Sequence, residues 1–320
     1  MKKHDMITVH EQINIRNVTF ISAWPGMGNV ALGAVDYLRR MTGAKLFAEI
    51  DLGYLFSPDA IVVNNGVVEL PELPKNFFYY LTDPPIIFFE SDVQLSGIGA
   101  MNLLDKILGF ISEFSIKKVY TGAAYSLPIT HHAESELYGV VSKDKLKDYI
   151  KEYNIQIMNE GQISGMNGLI LGYATKRKLE SICLLATMPL YAVNLPNPKA
   201  SKAIVSKLAQ MLSLDVDMFE IDAAIEEMNK KMDALEENIK ELFPGITSDE
   251  QQGDSPDKLP TDQPIEKDNI PSHVLDKIEK LFKEAQSDKK KAYMLKAELD
   301  RWNLYKLYED RFLNLFKEKQ

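Results

Sequence analysis

Apolar positions along this chain follow two distinct periods. Short, nearly continuous apolar runs at 17–23, 45–51, 86–90, 118–124, 155–158 and 181–186 read as strands. Between several of them, apolar residues recur at helical spacing, which predicts helices over 30–41, 99–114, 143–152 and 166–176. The alternation gives an α/β fold, with a mixed, largely parallel sheet flanked by helices. Its mixed character is read from Ile61-Val62-Val63-Asn64-Asn65-Gly66-Val67-Val68. Asn-Gly between two β-branched runs signals a hairpin, because a type I′ turn needs positive φ at both central residues.

After Pro196-Asn197-Pro198 the pattern becomes wholly helical, with helices expected over 199–213 and 217–243. The second has a seam in steps of three and four: Met218, Ile221, Ile225, Met228, Met232, Leu235, Ile239 and Leu242. Such a helix lies lengthwise on another helix. That partner is either within the chain (199–213 or the C-terminal helices) or on a second copy. Pro244-Gly245 ends it. The stretch 246–271 holds four prolines and seven acids against two lysines, with few apolar residues, and reads as an acidic linker without fixed structure. From 272 to 320 the helical pattern returns, with Val274, Ile278 and Leu281 on one face and Leu295, Leu299, Trp302, Tyr305, Phe312 and Phe316 on another. The expected organisation is an α/β core over 1–245, a linker over 246–271 and a helical extension over 272–320. No internal repeat is visible.

Composition narrows the function classes. A formal net charge of −9 over 320 residues argues against a general nucleic-acid binder, which needs clustered cationic surface. No apolar leader and no membrane-length apolar stretch are present, so the expectation is a cytoplasmic protein with no membrane partner. The one cysteine, Cys183, lies in an apolar run and reads as an inert buried thiol.

Two glycine clusters are the candidate sites. Trp24-Pro25-Gly26-Met27-Gly28-Asn29-Val30 links the first predicted strand to a helix and, with Ala31, spells G-x-G-x-x-A. Strand-to-helix turns aim free N–H groups above the sheet, and Glu49 or Asp51 would be the acid for a ribose. Against that reading stand Pro25, Met27 and the missing third glycine. The second cluster, 161–168, opens the helix 166–176 with Ser164 as candidate N-cap. Facing one another, the loops would form a cleft with Gly26, Met27, Gly28, Asn29, Ser164, Gly165, Asn167 and Gly168 as ligand-binding residues. Alternatively, both are ordinary turns whose glycines serve packing. His131 and His132 are adjacent, and neighbours on a helix or strand point apart, so they read as a surface loop with a pH-sensitive or interface role. No metal site, cofactor or catalytic set is expected: there is no H-E-x-x-H, no G-x-S-x-G and no cysteine pair.

Taken in order, these motifs carry a resemblance. Trp24–Val30, Asn65-Gly66-Val67, the strand 85–90 with Gln94, Gly122-Ala123-Ala124, Tyr138-Gly139-Val140, Gly161–Gly168 and Pro196-Asn197-Pro198-Lys199-Ala200 together resemble the proteasome assembly chaperone 2 family, over about residues 15–243. The resemblance implies an α/β core similar to nucleoside phosphorylases and no established catalysis. It also implies a homo-oligomeric binding protein, acting as assembly chaperone or adaptor with itself and proteasome subunits as partners. Eukaryotic members pair as heterodimers that guide proteasome α-subunits into rings. An ATP-grasp assignment, applied to some of these proteins, finds no lysine and acid frame here. Chaperones of this group often dock through a C-terminal hydrophobic-Tyr-any tripeptide. This sequence ends Glu318-Lys319-Gln320, and its Leu304-Tyr305-Lys306 and Leu307-Tyr308-Glu309 lie within a predicted helix. The alternative from another class is an enzyme or sensor that binds a nucleoside, nucleotide or phosphate in the cleft between the two glycine loops.

Overall fold

A computed structural model of the chain describes residues 6–56 and 60–242, together with 278–283 and single positions up to 311. The chain divides into two compact units, Met1–Ile246 and Thr247–Gln320. The linker expected over 246–271 lies outside the described residues.

The first unit is built on a nine-stranded sheet. Its strands are β1 (Ile7–Val9), β2 (Thr19–Ala23), β3 (Lys45–Ile50), β6 (Asn76–Leu81), β7 (Ile86–Ser91), β8 (Lys118–Leu127), β9 (Leu137–Val141), β10 (Gln156–Ile157) and β11 (Ser181–Pro189). A separate two-stranded sheet is formed by β4 (Val62–Asn64) and β5 (Val67–Glu69). The order across the large sheet is β1-β3-β6-β7-β2-β8-β11-β9-β10, with the central β7, β2, β8 and β11 mutually parallel. These are the strands whose apolar runs are nearly continuous; all nine residues of β11 are buried, as a parallel strand covered on both faces requires.

The helices α1 (Val30–Met41), α3 (Lys145–Lys151), α5 (Pro198–Leu212) and the start of α6 (Phe219–Leu242) cover one face. The helices α2 (Gly97–Ile111) and α4 (Gly165–Lys176) cover the other. Because β2 runs into α1 on one face and β7 into α2 on the opposite face, a crevice opens at the carboxyl ends of these adjacent strands.

The sheet is mixed for a different reason from the one expected. The Asn65-Gly66 hairpin is present, with φ of 49° and 81°, but it stands apart from the main sheet. The antiparallel pairs within that sheet involve β1, β3, β6, β7, β9 and β11.

The seam of α6 faces inward. Ile221 and Met232 are buried, while Met218 (just ahead of the helix), Ile225 and Met228 are half-buried. Tyr37 Oη donates to Asp217 O at 2.8 Å, and Arg40 pairs with Glu220 at 2.9 Å, fixing the start of α6 to α1. Within the described residues, Met218 and Ile221 pack into the core shared with α1 and α5, while Ile225, Met228 and Met232 lie against the 129–133 turn and the 189–199 segment of the same chain. The side chains of Leu235, Ile239 and Leu242 lie outside the described residues.

In the second unit, Ile278, Phe282, Ala285, Ala292, Leu295, Leu299 and Tyr308 form their own buried cluster, with Leu281 packed against it. Arg311 lies 4.2 Å over the Phe282 ring and pairs with Glu279 at 2.7 Å. Tyr308 is thus a packing residue, 5.8 Å from Phe282 between ring centres. Val274, Trp302, Tyr305, Phe312 and Phe316 lie outside the described residues.

Among the described residues, no helix is long and apolar enough to cross a membrane. Cys183 is fully buried in β11, and burial pushes its thiol up to about 12. A maleimide should leave the native chain unlabelled at neutral pH and label it once in denaturant, since only a thiolate reacts. Rapid native labelling would show that β11 opens.

Candidate functional site

The two glycine loops do meet above the sheet. The loop after β2 and the start of α4 are joined by Asn167, a buried side chain that mimics a strand partner. Its Oδ1 accepts from the Trp24 backbone N–H at 3.0 Å, and its Nδ2 donates to Trp24 O at 2.9 Å. The Thr121 hydroxyl on β8 donates to the same Oδ1 at 3.3 Å. A second bridge is Gln94, at the carboxyl end of β7. Its Oε1 accepts from Met166 N–H at 3.0 Å, and its Nε2 donates to Pro25 O.

Gln94 thereby takes the role expected of Ser164. Ser164 occupies the N-cap position of α4 with extended backbone, but its side chain makes no capping hydrogen bond. An amide reaching in from another loop satisfies the helix N–H instead, and fixes α4 to the crevice at the same time.

A third segment closes the arrangement. Gly28 adopts φ +60° and donates to Val193 O at 2.7 Å, while Asn197 N–H donates to Gly28 O at 2.8 Å. Asn197 also caps α5, accepting from Ala200 N–H at 2.9 Å ahead of Pro198 at the first turn. A Cβ on Gly28 would sit 2.9 Å from Met188 Cε and 3.2 Å from Asn197 Cβ, so this position needs glycine for both conformation and space. The motifs 24–30, 161–168 and 196–200, distant in sequence, are one hydrogen-bonded unit at the carboxyl edge of the sheet.

Between the loops lies a cleft of about 710 Å³. Of the eight residues expected to bind a ligand, Gly26, Met27, Ser164, Gly165 and Asn167 line it. Gly28 and Asn29 line instead a depression bounded by α1, α5 and α6. Gly168 packs against the Ile163 carbonyl. The cleft's polar groups are amides and hydroxyls, chiefly Gln94, Ser126, Gln162 and Ser164, with Glu160 as its one carboxylate and no lysine, arginine or histidine. Glu49 and Asp51 do not reach it. Strands β7 and β6 separate β3 from β2, a displacement of roughly 14 Å at ordinary strand spacing, and Glu49 lies beside His10 at 3.5 Å.

The histidine pair departs from expectation. Residues 130–133 form a turn, in keeping with the loop expected there, with Ala133 N–H donating to Thr130 O, but the side chains are not simply at the surface. Consecutive side chains can then converge: the rings of His131 and His132 lie 4.1 Å apart, and both Nε2 atoms approach Asp233 Oδ1 on α6, at 2.8 and 2.9 Å. His131 is buried rather than on a surface loop. Its hydrogen bond holds the Asp233 carboxyl below the usual carboxylate range. No signal in the sequence links His131 to a residue on a helix more than a hundred positions away.

Comparison with known proteins fits this architecture. A model of the PAC2 family matches residues 20–236. An uncharacterized protein of Methanocaldococcus jannaschii is 27% identical over 231 residues, covering 71% of this chain and 84% of that protein. The crystal structure of Pyrococcus furiosus PbaB, an archaeal proteasome activator, is 28% identical with a TM-score of 0.62, covering 72% of this chain and 98% of that one. That of Pyrococcus furiosus PbaA, an archaeal homolog of proteasome-assembly chaperone, shares the fold at 22% identity and a TM-score of 0.59, covering 75% and 95%. With the family's model spanning most of the α/β unit and the glycine motifs locked into its sheet edge, this chain belongs to the PAC2 family.

Proposed function

We propose that this protein is a non-enzymatic, homo-oligomeric binding protein that acts on the proteasome as an assembly chaperone or adaptor. The observation that carries the reading is the β4–β5 hairpin. Val63 and Val68 are 62% and 63% exposed, and Ile61, Val62, Val67, Leu70 and Leu73 are exposed beside them. Two strands of three residues are marginal alone in water, and so large an aliphatic patch is an interaction surface. Its occupant in this reading is a second copy of the chain, because identical hairpin edges can pair about a two-fold axis. Family membership and the solved neighbours described as a proteasome activator and a chaperone homolog support the proteasome as the client. The cleft, poor in titratable groups, supports binding over catalysis.

Light scattering of the purified chain should give a multiple of 36.3 kDa. Val63 and Val68 are directly cross-strand, so the pair Val63→Lys with Val68→Glu keeps the hairpin while removing its apolar face. We expect this variant to run as a smaller species with the wild-type circular-dichroism spectrum, its Tm lowered only by the lost association. Affinity capture from the native extract should recover proteasome α-subunits. A monomeric wild type would remove the oligomer, and capture free of proteasome subunits would remove the client.

A cleft ligand is the second reading, favoured by the cleft's position at the strand carboxyl ends. It predicts a rise in Tm with a nucleoside, nucleotide or phosphate.

A further inference from the structure

Away from the glycine cleft, the turn at 130–133 and the helix α6 bring together two imidazoles and a carboxylate. We propose that His131 Nε2, His132 Nε2 and Asp233 Oδ1 bind a divalent transition-metal ion, with Zn2+ as the best match, and that the ion fastens α6 to the core. One donor atom from each residue lies within 4.8 Å of the other two, and both Nε2 atoms stand 2.8 and 2.9 Å from Asp233 Oδ1. Two imidazoles and a carboxylate are a borderline-soft set that suits Zn2+ and disfavours Mg2+ or Ca2+, which take oxygen ligands.

The surroundings are those of a prepared site rather than a chance meeting of surface groups. The outer nitrogen of His131, Nδ1, lies 3.0 Å from Tyr191 Oη and 3.3 Å from Glu236 Oε1. Partners on Nδ1 orient the ring and, by accepting the Nδ1 proton, leave the Nε2 lone pair for a metal. Tyr191 Oη also accepts from the His131 backbone N–H at 2.8 Å, and Lys199 Nζ donates to His131 O at 2.6 Å and to Ala133 O at 3.3 Å. The turn is therefore held from two sides before any ion arrives. His131 is 6% exposed while His132 and Asp233 are 60% and 45% exposed, so the site has a rigid inner ligand and an open outer side where water completes a tetrahedron.

One adjustment is required. Neighbouring ligand atoms around a tetrahedral Zn2+ stand about 3.3 Å apart, given bonds of about 2.0 Å, so Asp233 Oδ1 must withdraw by roughly 0.5 Å from its hydrogen-bonding distances. The carboxylate is solvent-facing on an exposed flank of α6 and is free to do so.

The test uses the full chain without a polyhistidine tag. Calorimetric titration with Zn2+ should show one ion per chain at micromolar affinity or tighter, with a Tm that rises with Zn2+ and falls back with a chelator. Co2+ in place of Zn2+ should give the intense visible absorption of four-coordinate cobalt. His132→Ala and Asp233→Asn should each weaken Zn2+ binding at least ~10-fold and abolish the rise in Tm with Zn2+, each variant being compared with its own metal-free Tm because Asp233 also bonds His131 without an ion. No Zn2+ binding at micromolar concentrations, or binding undiminished in either variant, overturns the proposal.

Discussion

Replacing Gly168 with alanine should lower stability by about 3 kcal/mol or more, and Tm by roughly 6–12 °C for a unit of this size. Gly168 lies in the first turn of α4, where a Cβ would stand 2.1 Å from the Ile163 carbonyl oxygen and 2.7 Å from its carbonyl carbon. Those are backbone atoms, so no rotamer change relieves the overlap. The loop 161–164 must move, and with it the wall of the cleft. The same helix supplies the control. Gly172 is exposed, sits mid-helix, and a Cβ there meets nothing within 4 Å. Gly172→Ala should raise stability by about 0.5–1 kcal/mol, the ordinary gain in helix propensity. Thermal unfolding by circular dichroism measures both. Equal shifts of the same sign would show that helix propensity, not the close approach to Ile163, decides these positions.

The contrast between these glycines marks what the residue pattern can and cannot reveal. Periodicity located α1 at its observed bounds and the parallel strands to within a few residues, because continuous apolar runs and helical stripes are local consequences of burial. It missed β1, β6 and β9. The first is only three residues long, the second is a mostly aromatic run (Asn76–Leu81) directly behind a proline-rich approach, and the third is interrupted by Gly139. That glycine has a packing reason: a Cβ there would stand 2.4 Å from Ile150 Cδ1 on α3.

The glycine loops were visible as motifs, but not what holds them. Gln94 and Asn167 act across 69 to 143 positions of sequence, and one amide resembles another until the fold supplies its partner. The Gly28 turn first reads as half a nucleotide fingerprint. In the fold its N–H and C=O are already spent on Val193 and Asn197, so this glycine is explained by closure of the sheet edge. The histidines show the converse case. Residues 130–133 read as a loop and do form a turn, but a loop has no periodicity to aim its side chains, so nothing in the sequence points both rings at Asp233.

Asn167 should be the most sensitive side chain of the edge. Asn167→Leu keeps a similar volume but leaves the Trp24 N–H and C=O without their partner in a fully buried place. At about 1–3 kcal/mol for each orphaned group, the loss is roughly 2–6 kcal/mol. Packing alone could not explain a loss of that size in a near-isosteric change, but a sharper test separates the two causes. Asn167→Asp retains the Oδ1 acceptor and replaces the donating Nδ2 with an oxygen aimed at the Trp24 carbonyl. Burial and the opposed carbonyl both disfavour the ionised form, so the folded-state pKa of this aspartate lies above its unfolded value. The folded protein then holds the proton more tightly than the unfolded chain, and its contribution to stability is present below the unfolded pKa and lost as pH rises through the folded one. Asn167→Asp should therefore be close to wild type at about pH 4 and below, where the unfolded carboxyl is protonated too and the folded one can donate to Trp24 O, and should lose stability progressively above that, being much less stable at pH 8. Measured as Tm against pH relative to wild type, a falling difference curve identifies the hydrogen-bonded clamp. A flat one would mean that Asn167 matters only for the space it fills, and that the two glycine loops are held together by Gln94 and packing alone.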